Sequence, residues 1–122
     1  MSYEWGPHFI VPSETLRSFS GRTQLRESLD DDLLRKDLDS IGLSGPVVRI
    51  LNPWYVRKVG DQTWIKVGES SDRSSNFPVS WDTTAFSSGS YEVLGLMHVF
   101  VKEGDHERVI ARQNIVEVEV KN

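Results

Sequence analysis

The chain has 122 residues, a formal net charge of −4 and no cysteine. That length holds one domain with a real core. The missing thiols exclude disulfides, thiolate metal sites and cysteine nucleophiles, and the acidic balance argues against a general nucleic-acid or anionic-membrane binder.

Apolar residues make up 38% of the chain, and four Trp, three Tyr and five Phe add bulk to the core that fraction can build. No apolar run reaches the length of a membrane span. The opening "MSYEWGPHFIVPSETL" has no basic n-region and no sustained apolar h-region, so it does not read as a signal peptide. A native start at Met1 implies a cytoplasmic protein; an excised domain leaves an extracellular setting open.

Residues 1–43 read as an N-terminal arm followed by a helical segment. Pro7 and Pro12 make "WGPHFIVPSE" extended or turned. From Arg22 to Ile41 there is no Pro or Gly, and Leu, Arg, Glu and Asp dominate, so a helix is expected there. Its apolar residues divide. Leu25, Leu29 and Leu33 share one face, and Leu34, Leu38 and Ile41 lie roughly opposite at about 100° per residue. Either one helix touches two surfaces, or the helix breaks near Asp30, whose carboxylate caps a second helix. Asp31–Arg35 and Asp32–Lys36 are spaced as i,i+4 ion pairs, and Gly42 is placed to end the helix.

Residues 44–122 change period. "VVRIL", "WYVRKV", "TWIKVGES", "FPVSW", "YEVLGLMHVFV" and "RVIARQNIVEVEV" are β-branched and aromatic, with turn signals between them. Gly60–Asp61 and Glu103–Gly104–Asp105–His106 look like hairpin turns. Several short strands with regular turns predict a mainly β, antiparallel sandwich or barrel.

Val48-Arg49-Ile50-Leu51-Asn52-Pro53, the Gly of "WIKVGES", "FPVSWDTT" and Gly89-Ser90-Tyr91 before an alternating strand form a pattern. From Pro46 to Val120 the chain resembles bacterial immunoglobulin-like domains of surface and accessory modules. The resemblance implies an antiparallel immunoglobulin-like β-sandwich with a generic binding or spacer role. It supplies no shared catalytic residues.

Each polar cluster has a structural reading. Asp82, Thr83 and Thr84 suit a side-chain-stabilised turn, and Tyr91 suits a tyrosine corner. Asp30, Asp31 and Asp32 diverge on a helix and cannot close on one ion. His8, His98 and His106 lack metal-ligand spacing. No Gly-x-Ser-x-Gly elbow is present, and Glu117 and Glu119 alternate with Val as a solvent face would. No metal, cofactor or catalytic residue is therefore expected, and the chain reads as no enzyme.

The aromatics and leucines remain. Trp5 and Phe9 in the arm, with Leu25, Leu29 and Leu33, are the expected partner-binding residues of a non-catalytic interaction or assembly module, docking on another protein or a second copy. Trp54, Tyr55 and Trp64 are the ligand-binding candidates of the alternative, a carbohydrate-binding accessory domain. Trp54 and Trp64 facing outward together would form a platform for a sugar ring. The competing expectation puts one of them, Trp64 first, in the core between the sheets.

Overall fold

Strand formation begins earlier in the chain than the composition suggests. In the computed structural model, which describes residues 8–10, 18–19 and 21–122, the chain runs through β1 (His8–Ile10), β2 (Ser18–Phe19), β3 (Arg22–Ser28) and α1 (Asp31–Ser40). It continues through β4 (Val47–Lys58), β5 (Ile65–Ser70), β6 (Val79–Asp82), β7 (Gly89–Glu103) and β8 (His106–Val120). Two sheets result, in the orders β1-β3-β6 and β2-β8-β7-β4-β5. All pairings are antiparallel except the short β2–β8 contact.

The unbroken helix over 22–41 does not form. Arg22–Leu25 pair with Asp82–Val79 of β6, and Leu25 and Glu27 both point inward with no exposure. The segment alternates with period two, and burial of Leu25 among Trp54, Trp81 and Val93 outweighs its helical composition. The helix starts at the alternative break. The Asp30 carboxylate accepts from Leu33 N at 3.1 Å, satisfying one of the free first-turn donors.

The helix ends at Gly42, with φ +84°. Leu43 N donates to Leu38 O at 2.9 Å and Gly42 N to Asp39 O at 3.1 Å, the two bonds of a Schellman motif. Arg35 pairs with Asp39 at 3.1 Å instead of Asp31, and it donates to the Gly45 and Leu43 carbonyls, locking the helix exit. Asp31 instead pairs with Arg73.

The core has two parts. Leu25, Trp54, Val56, Val79, Trp81, Tyr91, Val93, Val118 and Val120 fill the space between the two sheets. Leu34 and Leu38 of α1 join Ile50, Phe77, Met97, Val99 and Val101 in the other part. The helix and β3 thus share their cores with the strands that follow.

The "WDTT" quartet builds a corner. Trp81 is buried edge-on to Phe86 (5.6 Å between centroids) and Tyr91 (6.0 Å). Asp82 Oδ1 accepts from Thr84 N at 3.0 Å, and Thr83 Oγ1 donates to Gly21 O at 2.7 Å. The Tyr91 hydroxyl donates to the Ser87 carbonyl at 2.7 Å while its ring is buried. Hydrogen bonds from Thr84 hold the Asp82 carboxyl below its ordinary range. A group with a depressed folded value stabilises above its unfolded value, and that contribution is lost as pH falls through the folded one. Asp82→Ala is expected to lower the urea midpoint at pH 7, with the gap to wild type closing as pH drops below the aspartate range. A gap that persists unchanged in acid removes this reading of the corner.

Candidate interaction surface

The five-stranded sheet has two faces, and along β7 both are apolar between Val93 and Val101. In β7, odd residues from Tyr91 to Val101 point into the core, and even residues point to the other side. The stretch 93–101, "VLGLMHVFV", carries almost no polar residue on either side. An antiparallel sheet with one solvated face alternates apolar and polar, whereas a continuous apolar run marks a strand covered on both faces.

The register shows what shares the outer face. Leu51 of β4 and Ala111 of β8 flank His98. Tyr55 and Ile115 flank Leu94, and Arg49 and Val109 flank Phe100. Among the described residues, none of Leu51, Tyr55, Leu94, Leu96, Phe100, Val109 and Ile115 belongs to either core cluster. Val109 is 51% exposed and Ile115 45%, while Leu94 is 7% exposed. The helix packs on the opposite face, through Met97, Val99 and Val101.

Cations frame this apolar band at both ends. The Arg49 guanidinium lies 3.9 Å from the Phe100 ring centroid and pairs with Glu107 at 2.8 Å. The Arg57 guanidinium lies 4.1 Å from the Trp64 centroid and pairs with Glu92 at 2.9 Å. In both, β4 supplies the cation and β7 supplies a group that attracts it, the Phe100 ring or the Glu92 carboxylate.

The sequence candidates fall in different places. Trp5 lies outside the described residues, and for Phe9 only the backbone in β1 is described. Leu25 is in the core rather than on a surface. Leu29 is half-buried against the second cluster, and Leu33 is 37% exposed. The shared helical face expected for these three leucines does not exist, because Leu25 is on a strand.

The two-indole platform also does not form. Trp54 has no exposed surface, and its Nε1 donates to the Phe77 carbonyl at 3.0 Å. Trp64, the favoured core residue, is instead half-exposed beneath Arg57. A register shift between Trp54 and Tyr55 separates the two indoles. Tyr55 and Trp64 lie on the outer face, beside Lys66 and Arg57.

A second polar feature was hidden in the sequence. Glu27, Arg112 and Asn52 are buried between the sheets. Arg112 Nη2 approaches Glu27 Oε1 at 3.5 Å, and Asn114 Nδ2 donates to the same oxygen. The Asn52 amide is satisfied with its nitrogen 2.9 Å from Glu27 Oε2 and its oxygen 3.1 Å from Trp54 Nε1, an orientation assigned from this network. Burial pushes the Glu27 carboxyl up to about 7, against the pull of Arg112 and the two amides. It lowers Arg112 to about 10. Both charges are enclosed, so the cluster lacks an approach for a substrate.

Elsewhere, an open depression of about 350 Å³ is lined by Val47, Val48, Arg49, Ile50, Ser71 and Arg73. Its two cations are already engaged, Arg49 by Glu107 and Arg73 by Asp31. Among the described residues no group of three His, Asp or Glu is arranged to hold a metal ion.

Comparison of the chain with protein-family models, with curated proteins and with solved structures found no match.

Proposed function

We propose that this chain is a non-catalytic interaction or assembly module, an immunoglobulin-like sandwich that binds another protein chain. One observation carries this reading: the five-stranded sheet presents a second apolar band, framed by Arg49 and Arg57, that among the described residues contributes to neither core cluster. A sandwich needs one apolar face per sheet, and a contiguous apolar outer face is the mark of a covered surface. Aromatic and Arg side chains around an aliphatic centre match the make-up of protein interfaces. This reading puts the contact surface on the sheet instead of on a leucine-faced helix.

The carbohydrate reading keeps Tyr55 and Trp64 on the same face but loses Trp54 to the core. A single indole already stacked by a guanidinium is a weaker sugar platform than two parallel ones.

The test replaces Leu96, at the centre of the face, with a photo-cross-linking amino acid in the full chain. Irradiation in the cells that make the protein is expected to give an adduct of protein size. Cross-linking at this position to small molecules alone, or to nothing, removes the interaction reading.

A further inference from the structure

The outer sheet face is self-complementary in a way that specifies its occupant. On its central strand pair the charged groups lie at matched levels, with Lys66 of β5 and Glu107, Gln113, Glu117 and Glu119 of β8 at its margins. β4 carries the two cations, Arg49 and Arg57, and β7, the next strand, carries their acceptors at the same levels. Arg49 is in register with Phe100, and Arg57 with Glu92. Between these levels, Leu51 faces His98 and Tyr55 faces Leu94 across the same strand pair.

We infer that a second copy of this chain covers this face, about a two-fold axis running along the strands between β4 and β7. This rests on the proposed interaction role and names its partner. Such an axis exchanges β4 with β7 across the interface and leaves each level unchanged. Arg57 of one copy then lies over Glu92 of the other, and Arg49 over Phe100. Tyr55 meets Leu94, and Leu51 meets His98. Arg49 and Arg57 each meet an attracting group, the Tyr55–Leu94 contact is largely apolar, Leu51 lies over the His98 ring, and Ile115 lies over the Lys66 side chain. A contact that uses one patch on both partners is the isologous arrangement of closed dimers, and it keeps the strands of the stacked sheets roughly aligned.

The alternative axis, across the strands, fails on the same residues. It places Arg49 over Arg57 on facing β4 strands and Glu107 over Glu119 on facing β8 strands. Like charges brought together in an interface oppose association.

Sedimentation of the purified full chain over a wide concentration range is expected to show a reversible dimer. Arg57→Glu and Glu92→Arg, each alone, should weaken it about tenfold or more, since each puts like charges across the interface. The informative measurement is an equimolar mixture of the two variants. Both chains still carry a mismatched pair internally, so a purely intrachain role gives no rescue. Across the two-fold, the Arg57→Glu chain and the Glu92→Arg chain complement each other at both 57–92 contacts, so the mixture should form a heterodimer of near wild-type affinity. Circular dichroism and melting of each variant check folding. If either fails to fold, Ile115→Lys serves, because the same axis brings position 115 over Lys66 and should also dissociate the dimer.

A wild-type chain that stays monomeric at all concentrations overturns the inference, as does a dimer unaffected by Ile115→Lys or a mixture no tighter than its components. The two proposals fail separately. A cross-link from position 96 to a different protein, with a monomeric purified chain, sinks the second copy and keeps the interaction role.

Discussion

Arg112→Met is expected to destabilise the protein by about 3–5 kcal/mol at pH 8, and by clearly less at pH 5. Arg112 is 1% exposed and its partner Glu27 not at all. Removing the cation leaves a buried carboxylate whose remaining bonds come from the Asn114 and Asn52 amides and which has lost its opposing charge. At pH 5 the carboxyl takes up a proton and escapes most of that penalty.

The wild type should itself depend on pH through the same group. Desolvation raises Glu27 from 4.5 to about 7 in the folded state. The folded protein then holds a proton that the unfolded chain has released. Stability from this group is fully present below the unfolded value and is lost as pH rises through about 7. Around Glu27 stand Arg112 and Asn114 of β8 and Asn52 of β4, and Asp37 of α1 acts on Arg112 from the helix side. The slope between those limits is at most about 1.4 kcal/mol per pH unit. Urea unfolding from pH 5 to 8 reads it directly. Glu27→Gln should flatten the curve, and the double change Glu27→Leu with Arg112→Leu should recover much of the loss from Arg112→Met. An Arg112→Met penalty equal at both pH values would contradict the assignment.

Trp54→Ala is expected to cost about 3–5 kcal/mol, the range for deleting a large aromatic from a core. The indole is fully buried between the sheets, against Leu25, Trp81 and Val93. Its Nε1 also holds the carbonyl of Phe77, a bulky residue at φ +54° next to Asn76 at φ +64°. Backbone in that region is unfavourable for a β-carbon and persists where its surroundings enforce it. Here the Asn76 carbonyl accepts from Glu27 N at 2.8 Å, and Phe77 N donates to Asp72 O at 2.9 Å. Trp54→Phe keeps most of the packing and deletes the indole donor, so it should cost about 1–3 kcal/mol. Equilibrium urea denaturation separates the two. A Trp54→Ala protein of wild-type stability would mean that the core assignment is wrong. Lost sugar binding in that variant would report unfolding, so Trp64→Ala is the sound control for the carbohydrate reading.

Short-range grammar was legible in the sequence. Asp30 caps α1, Gly42 ends it, and Glu103–His106 closes a tight hairpin with Gly104 at φ +62°. The Asp82–Thr84 corner and the Tyr91 hydroxyl bond were also readable from residue type and spacing. The hairpin at Gly60–Asp61 was only half right. Asp61 N closes a turn onto Lys58 O, but pairing with β5 resumes at Val56 and Ile65, so the connection is wider than a tight hairpin.

The outer-face band left a signal that period-two reading passed over. "VLGLMHVFV" does not alternate, and a strand that does not alternate asks for cover on both sides. Glu27 and Arg112 left none. They sit in "LRES" and "ARQN", segments that look like any solvated surface.

By itself, then, the sequence determined the caps, the turns and most of the strands, because those depend on bonds between residues a few positions apart. The tertiary structure decided the rest. It made 22–28 a strand by offering β6 as a partner, turned Trp54 inward by its register against β7 and Trp64 outward through a register shift in β5, and enclosed Glu27 with Arg112 across 85 residues of chain. Which face of a strand is buried follows from register against distant strands, and a one-residue change of register exchanges the two faces.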